Sequence, residues 1–266
     1  GKNVATFPEN LQKTVKLQYM KDKSHNAVCI QFSGGSDSSL TAYMAASEFD
    51  SVHLLTFRHF GHVNIENSRR SFAVLDKRFP NKFKHQIIDI SETFEKIYYR
   101  KYFSNLFKYK TLLLQFTCFA CQASFIIHII SYCIKNKIVQ VRDGANTEYE
   151  EASPMQMRRV KEEIRRLYAD HGIVHASPVY DEYASDRSDY QLFRLGLREQ
   201  PNIKDNPKLY KKYQGYCKFM PASTIWLHYW RQCKGFPEDV QKQTLEHWIE
   251  EVNYIKQLIE YKIGSQ

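Results

Sequence analysis

The sequence has no uninterrupted apolar run of eighteen residues, and this argues against a membrane-spanning segment. Its first thirty residues lack the basic, apolar and small-residue regions of a secretory signal, so we expect a cytoplasmic protein that does not bind a membrane. Internal repeats and low-complexity tracts are also missing. A length of 266 residues suits one large domain or one domain with a small appendage.

The charge and the cysteines are the first positive features of the composition. A formal net charge of +9 suggests a polyanionic partner such as a nucleic acid or a phosphorylated substrate, although a solvated basic surface would look the same. The chain has six cysteines. In a reducing compartment these are expected to be free, catalytic or metal-bound rather than joined in disulfides.

Short segments rich in valine and isoleucine alternate with amphipathic helical segments over the first 180 residues. The predicted strands are 27–32, 52–57, 85–90, 138–141 and 173–176. The predicted helices between and after them are 38–47, 67–79, 92–99, 122–135 and 155–171. This alternation predicts an α/β fold with a doubly wound, parallel, five-stranded sheet. Beyond residue 180 the pattern changes to helices and a polar connection at 200–216, so we divide the chain into an α/β domain, 1–180, and a helical C-terminal region, 181–266.

The stretch "CIQFSGGSDSSLTAY", residues 29–43, places two glycines and four serines between a strand and a helix. Gly34 and Gly35 allow a tight turn whose N–H groups face one way, and the following helix adds a positive dipole end. The hydroxyls of Ser33, Ser38 and Ser39 add donors, so the segment predicts a phosphate cradle. Asp37 would repel phosphate unless Mg²⁺ lies between them, or it simply caps the helix.

Within this stretch, residues 33–39 (SGGSDSS) resemble the fingerprint SGGxDS(S/T) of the PP-loop ATP pyrophosphatases. The kinase-type pattern GxxxxGK(S/T) is missing from the sequence. The resemblance implies an adenine nucleotide alpha hydrolase-like fold over about residues 25–180. It also implies ATP bound by the loop, including Ser36, with cleavage between the α and β phosphates and transfer of AMP to a carbonyl or carboxylate oxygen. By position in the family, the adenine pocket would include Thr56 and Phe57. The segment after the fourth strand would contact ATP or its Mg²⁺ through Asp143, Gly144, Asn146 and Glu148.

The cysteine pattern narrows the reaction within that family. "TCFACQ" contains Cys118 and Cys121, and Cys217 follows far along the chain. This arrangement resembles the tRNA thiolases that hold a [4Fe-4S] cluster on three cysteines and leave one iron open for sulfide. Because the pair starts a predicted helix, we expect a lowered thiol pKa that favours the thiolate.

Three other interpretations of these cysteines stay open. Cys118 and Cys217 could act without metal, one carrying a persulfide and the other resolving it. Together with Cys121 and Cys233 they could instead bind a structural Zn²⁺ ion. They could also be unrelated core residues, as we expect for Cys29 and Cys133.

The remaining features concern partners. Basic residues on helix 155–171 and lysines around Cys217, interleaved with tyrosines 210, 213 and 216, could bind a nucleic acid. Tryptophans 226, 230 and 248 are predicted to pack the C-terminal helices against one another or against a second subunit of a homodimer. The histidines show no recognisable metal or triad spacing, so no catalytic role is assigned to them.

The sequence therefore favours an ATP-dependent sulfurtransferase that takes sulfur from a donor and thiolates a nucleobase, in tRNA or in a small purine-like molecule. A nitrogen-transferring ligase that forms an amide or nitrile is the rival enzyme. A non-catalytic adenine-nucleotide sensor is the rival from another class.

Overall fold

Five parallel strands, in the order β4-β2-β1-β5-β6, form the centre of the fold. The computed structural model describes residues 26–100, 102–109, 114–147, 154–180, 185–202, 206–213, 215–219 and 238–265. The strands of this sheet are β1 (Ala27–Gln31), β2 (Ser51–Arg58), β4 (Phe83–Asp89), β5 (Gln140–Arg142) and β6 (Val174–Ala176). Each of the five lies within two residues of its predicted bounds, so the predicted doubly wound α/β class is confirmed.

Helices cover both faces of the sheet. They are α1 (Ser36–Glu48), α2 (Ser68–Arg78), α3 (Ser91–Arg100), α4 (Tyr102–Tyr109), α5 (Leu114–Asn136), α6 (Arg158–Ala169), α7 (Ser185–Arg194), α8 (Pro207–Tyr213) and α9 (Glu238–Gly264). Short 3₁₀ turns occupy Ile65–Asn67 and Pro154–Gln156.

The alternation of side chains along the central strands builds two separate cores. Val28 and Ile30 of β1 point to the face covered by α1, α2 and α7. Cys29 between them points to the opposite face, where α3, α5, α6 and α9 pack. Because both faces are covered, β1 is apolar at every position except the last, Gln31, rather than at every second one.

Helix α5 is the main helix of the second core. Its segment Phe116–Asn136 is long and apolar enough to cross a membrane, but 67% of the apolar window is buried inside the protein. It packs against α9 and α3. Buried residues of a soluble core helix pass the same composition test, and the burial here identifies α5 as a core helix.

The C-terminal region contributes to both cores. Leu192 and Leu197 join the first core, and Trp248 and Ile259 join the second. Trp248 is fully buried against Phe119 of α5, with ring centroids 5.8 Å apart, so it packs α9 onto the α/β domain rather than, as predicted, onto another C-terminal helix or a second subunit. Trp226 and Trp230 lie outside the described residues.

Two local predictions were wrong, and helix α4 and a second sheet were not predicted. The polar connection 200–216 contains helix α8, and α5 extends eight residues further towards the N-terminus than the predicted helix 122–135. The second sheet has two antiparallel strands, β3 (His62–Val63) and β7 (Tyr216–Cys217). Strands of two residues joined over 150 positions leave no periodic pattern in the sequence.

Candidate functional site

The loop Ser33–Ser39 follows β1 at the carboxyl edge of the sheet. The chain runs from β1 outward to β2 and β4, then returns to place β5 on the other side of β1. The gap between β1 and β5 is therefore the topological switch point, where ligands bind in open α/β sheets. Gly34 has φ +82°, a conformation that favours glycine, and Gly35 is extended just before α1 begins at Ser36.

Hydrogen bonds inside the loop separate the serines into two groups. The hydroxyls of Ser38 and Ser39 are buried and donate to the carbonyls of Gly35 and Gly34, at 3.2 and 3.3 Å. Ser33 is exposed and accepts the N–H of Gly35 at 3.2 Å. Ser38 and Ser39 thus shape the loop, whereas Ser33 is exposed and the hydroxyl of the half-buried Ser36 donates to Asp189.

Arg198 is a buried residue under the loop that the sequence analysis missed. Its Nη2 donates to the Gly34 carbonyl at 3.1 Å and to the Ser39 hydroxyl at 3.1 Å. The guanidinium lies 4.2 Å from the ring centroid of Tyr213. Burial lowers the pKa of Arg198 to about 10, so the group is charged at neutral pH.

The direction of the Gly34 carbonyl follows from these contacts. It accepts hydrogen bonds from Arg198 and also from the Ser71 hydroxyl, the latter at 2.6 Å. Because the carbonyl and N–H of a trans peptide point in opposite directions, the Gly35 N–H is held towards Ser33. Arg198 therefore orients an amide that the sequence analysis assigned to phosphate binding.

The loop after β5 lies directly against the phosphate loop. A Cβ on Gly144 would stand 2.5 Å from the backbone nitrogen of Ser38, so only glycine permits this contact. The Thr41 hydroxyl donates to the carbonyl of Asp143 at 3.3 Å, which ties α1 to the same segment. The structure thus brings Gly144 to the loop. Glu148 lies outside the described residues, so its predicted role as a Mg²⁺ ligand has no structural test.

The carboxylate of Asp143 is not directed at the loop, contrary to the sequence interpretation. It is buried, pairs with the ammonium of Lys161, and accepts a 3.0 Å contact from His175 Nε2. Burial alone would raise the pKa of Asp143, but Lys161 and His175 hold it well below its usual range. Lys161 is likewise buried and does not belong to an exposed basic face.

The side chains of Thr56 and Phe57 lie in the interior. The Thr56 hydroxyl donates to the Phe32 carbonyl at 2.6 Å, and the Phe57 ring stacks on Phe125 with centroids 4.8 Å apart. Both residues are buried. The assignment of these two side chains to an adenine pocket therefore does not match their packing.

The three cysteines singled out in the sequence come together beside the carboxyl edge of the sheet. Cys118 and Cys121 lie on α5, and Cys217 lies on β7. Both α5 thiols are close enough to Cys217 for a thiolate there to raise their pKa. Cys29 and Cys133 are fully buried in the core, as predicted.

A pair of glutamines connects this thiol site with the phosphate loop. The amides of Gln31 and Gln122 exchange contacts of 3.4 and 3.3 Å. Gln31 ends β1 two residues before Ser33, and Gln122 follows Cys121. The thiols and the loop are therefore at the same edge of the sheet.

The expected lowering of the thiol pKa was wrong for the metal-free protein. Burial raises the pKa of Cys118 to about 11 and that of Cys121 well above its usual value. Both residues lie on α5 past its first described turn, where the desolvation of a thiolate outweighs the helix dipole. A bound metal ion would reverse this balance, because coordination deprotonates a thiol.

Two histidines complete the site, and the sequence analysis assigned them no role. His62 Nε2 lies 3.7 Å from Cys121 Sγ, and the His59 and His62 ring centroids are 4.0 Å apart. His62 is also the cross-strand partner of Cys217. Burial lowers the pKa of His59 to about 3 and that of His62 to about 4, so both rings are neutral at pH 7. The sequence signal that could have indicated these two residues is the His-x-x-His spacing directly after β2.

The structure has the fold that the resemblance to the PP-loop ATP pyrophosphatases implies. The evidence is the parallel sheet with its strand order, and the fingerprint loop between β1 and α1 at the switch point.

No protein-family model and no curated protein matches the sequence. Solved structures with a similar fold include the U34-tRNA thiolase NcsA from Methanococcus maripaludis with its [4Fe-4S] cluster, with 13% identity over 95% of this chain and 80% of that chain and a TM-score of 0.45. NMN synthetase from Francisella tularensis has 14% identity over 94% of this chain and 96% of that chain, with a TM-score of 0.47. A predicted subunit of tRNA methyltransferase from Methanocaldococcus jannaschii has 18% identity over 80% of this chain and 91% of that chain, with a TM-score of 0.43.

Proposed function

We propose that this protein is an ATP-dependent sulfurtransferase. It would adenylate a carbonyl oxygen of a nucleobase, release pyrophosphate, and then replace the adenylated oxygen by sulfur with release of AMP. The observation that supports this reaction most is the Gln31–Gln122 contact, because it joins the strand end before the loop to the part of α5 that carries Cys118 and Cys121. Adenylation and sulfur delivery need to occur next to each other, and this contact supports that arrangement.

The loop residues would hold the triphosphate. The Ser33 hydroxyl and the N-terminus of α1 offer donors on the accessible side, whereas the Gly35 N–H donates to Ser33 and the Ser36 hydroxyl donates to Asp189. Asp37, in the first turn of α1, suits a Mg²⁺ ion that neutralises the repulsion between carboxylate and phosphate. The acceptor's carbonyl oxygen would then attack the α-phosphorus, with pyrophosphate as the leaving group.

The thiols would deliver the sulfur. A set of three cysteine thiols fits the ligand set of a [4Fe-4S] cluster, which when bound would offer an open iron for sulfide. The same thiols also suit chemistry without a cluster. A persulfide on Cys118 or Cys217 would attack the adenylated carbon through its outer sulfur and expel AMP. The second thiol would then attack the disulfide to the enzyme, release the thiolated base and leave a Cys118–Cys217 disulfide, which a cellular dithiol would reduce.

The surface around Cys217 supports a polyanionic acceptor such as tRNA. A small purine-like nucleotide is the alternative acceptor, since it offers the same nucleobase carbonyl. Lys208 and Lys218 are exposed on either side of Cys217 in the chain. Tyr213 is buried under Arg198, so it is not a stacking platform for a base. No described cysteine forms a disulfide, which suits the cytoplasm.

The test is an anaerobic assay with ATP, Mg²⁺ and either bulk tRNA or purine nucleotides, with sulfide as the sulfur source for the cluster route and a persulfide donor for the route without a cluster. Pyrophosphate release and product mass are measured together. We expect pyrophosphate release that depends on the acceptor and a gain of sulfur in place of oxygen. Cys118→Ser should abolish sulfur incorporation while sparing pyrophosphate release. Cys133→Ala, a core thiol on the same helix, is the matched control.

Each contrary result selects a different function. Thiolated product at an unchanged level in Cys118→Ser contradicts the proposed role of the thiols. Product containing nitrogen with ammonia as the donor would identify an amide- or nitrile-forming ligase. ATP binding without acceptor-dependent pyrophosphate release would identify a nucleotide sensor.

A further inference from the structure

Two histidines and one cysteine in the thiol site have the geometry of metal ligands. One ligand atom from each of His59, His62 and Cys121 lies within 4.8 Å of the others. The sulfur-transfer reaction proposed above uses neither histidine. Their convergence follows from the turn after β2, which brings the two rings together, and from the packing of His62 against α5, so it is a property of the tertiary structure.

We propose that His59, His62 and Cys121 bind one divalent transition-metal ion, zinc by preference, and that Cys118 and Cys217 are left as the reactive thiol pair. The second half of this inference rests on the proposed function, whereas the metal site stands on its own geometry. Three protein ligands leave a fourth position for water or sulfide, as in zinc sites that are not closed.

The distance between Cys121 and His62 fits a shared zinc ion. Zinc–sulfur and zinc–nitrogen bonds of about 2.3 and 2.0–2.1 Å at a tetrahedral angle place sulfur and nitrogen about 3.6 Å apart. The Cys121 Sγ to His62 Nε2 distance is 3.7 Å. Imidazole with one thiolate is also a donor set that suits zinc better than magnesium or calcium.

The surroundings hold the two rings in place. His59 stacks on Phe94 with centroids 4.1 Å apart and an interplanar angle of 9°. Its Nε2 is buried and has no hydrogen-bond partner among the described residues, which is the condition that a metal would relieve. His62 is fixed by the β3–β7 pairing and lies against Phe125.

Binding of a metal ion through Nε2 requires the His59 ring to change its tautomer. In the metal-free form its Nδ1 accepts the N–H of Gly61 at 3.1 Å, so the ring proton is on Nε2. A neutral ring that binds metal through Nε2 carries its proton on Nδ1, and the Gly61 hydrogen bond must then break. Cys121 binds as the thiolate and releases its proton to solvent. Loss of the Gly61 hydrogen bond is therefore a marker of metal binding at this site.

The test uses the full chain, reduced and stripped of metal under anaerobic conditions, and titrated with Zn²⁺ against a chromophoric chelator. We expect one ion per chain in the wild type and in Cys118→Ser and Cys217→Ser. We expect zinc affinity at least 100-fold weaker in Cys121→Ser and in His62→Gln, and His62→Cys should restore it because a thiolate can replace the imidazole. Circular dichroism and thermal unfolding establish that each variant is folded.

Cobalt substitution and NMR give readouts that do not depend on activity. The thiolate-to-cobalt charge-transfer band should persist in Cys118→Ser and vanish in Cys121→Ser, and the Gly61 amide resonance should shift on adding zinc. Equal loss of metal in all three cysteine variants, or zinc affinity unchanged in His62→Gln, would overturn the proposal. A brown protein whose iron is lost in every cysteine variant would overturn it as well. Failure of sulfur transfer with zinc binding intact would reject the proposed function alone.

Discussion

The phosphate loop and the thiol site lie at the same edge of the sheet but differ in how their polar groups are satisfied. In the loop, the carbonyl oxygen of Gly34 accepts three hydrogen bonds, from Ser39, Ser71 and Arg198. In the thiol site, His59 Nε2 is buried without a hydrogen-bond partner among the described residues, and burial raises the pKa of Cys121. The loop is held in shape by its own hydrogen bonds, whereas the thiol site has the character of a site that a ligand completes.

This difference has a physical basis in the chemistry of the groups. Hydroxyls and amides satisfy one another within a protein, so a rigid loop can form before any nucleotide binds. Thiols and neutral imidazoles are weak partners for one another but strong ligands for transition metals. The first site gains its shape from hydrogen bonds, and the second is expected to gain its shape from coordination.

The largest effect on the free energy of unfolding is expected from the buried ion pair between Lys161 and Asp143, a residue of the segment that lies against the loop. Asp143→Ala removes the partner of buried Lys161 and should lower the free energy of unfolding by about 3–5 kcal/mol. Urea unfolding at pH 7 measures this loss. A change below 1 kcal/mol, on the order of a surface ion pair, would show that the Asp143–Lys161–His175 group does not support the loop.

A smaller effect is expected from the backbone of the loop. Gly34→Ala places a Cβ 2.6 Å from the Tyr213 carbonyl at a residue with φ +82°. The backbone conformation alone should cost about 1–3 kcal/mol, and the contact adds to it. We expect a lower melting temperature and at least tenfold weaker ATP binding by calorimetry.

Gly172→Ala is the matched control for that substitution. Gly172 has φ +70° and a Cβ there would meet nothing within 4 Å, so only the backbone cost applies. Gly34→Ala should therefore be the more destabilising of the two. Equal losses in both variants would mean that the close approach of Tyr213 to the loop is not important.

Acid should weaken the fold through histidines outside the thiol site. Burial lowers the pKa of His85 and of His128 to about 4. Both rings are neutral in the folded protein and gain protons on unfolding, so their contribution is present above pH 6.5 and is lost as the pH falls towards 4. Each group changes the free energy of unfolding by at most about 1.4 kcal/mol per pH unit.

Urea unfolding between pH 7 and 4.5 measures this slope. His85→Gln keeps a donor for the Thr56 hydroxyl and should make the dependence on pH shallower. A slope identical to that of the wild type would contradict the expected pKa of His85.

The smallest effect on stability is expected from a substitution at Cys133, a core thiol outside the thiol site. Cys133→Ala removes one heavy atom from a fully buried position and should cost about 1 kcal/mol, without changing metal content or sulfur transfer. Thermal unfolding and metal analysis check both parts. Loss of metal in this variant would show that the thiol site extends into the core.

The parallel strands and most helices could be predicted because buried segments of this kind carry a local pattern of apolar residues. The tight turn after β1 was equally predictable, since Gly34 and Gly35 lie between a strand and a helix; its binding of phosphate stays a prediction. The roles of Thr56, Phe57 and Asp143 were assigned by position alone, and the tertiary contacts direct their side chains elsewhere.

The sequence by itself determined the fold class, the loop after β1 and the identity of the cysteines that come together. Only the tertiary structure decided that Arg198 lies under Gly34 and that His59 and His62 join Cys121. Local patterns report backbone periodicity and turn chemistry, which are set by neighbours in the chain. Contacts such as the pairing of His62 with Cys217 join residues more than 150 positions apart, and the packing of the whole chain determines them.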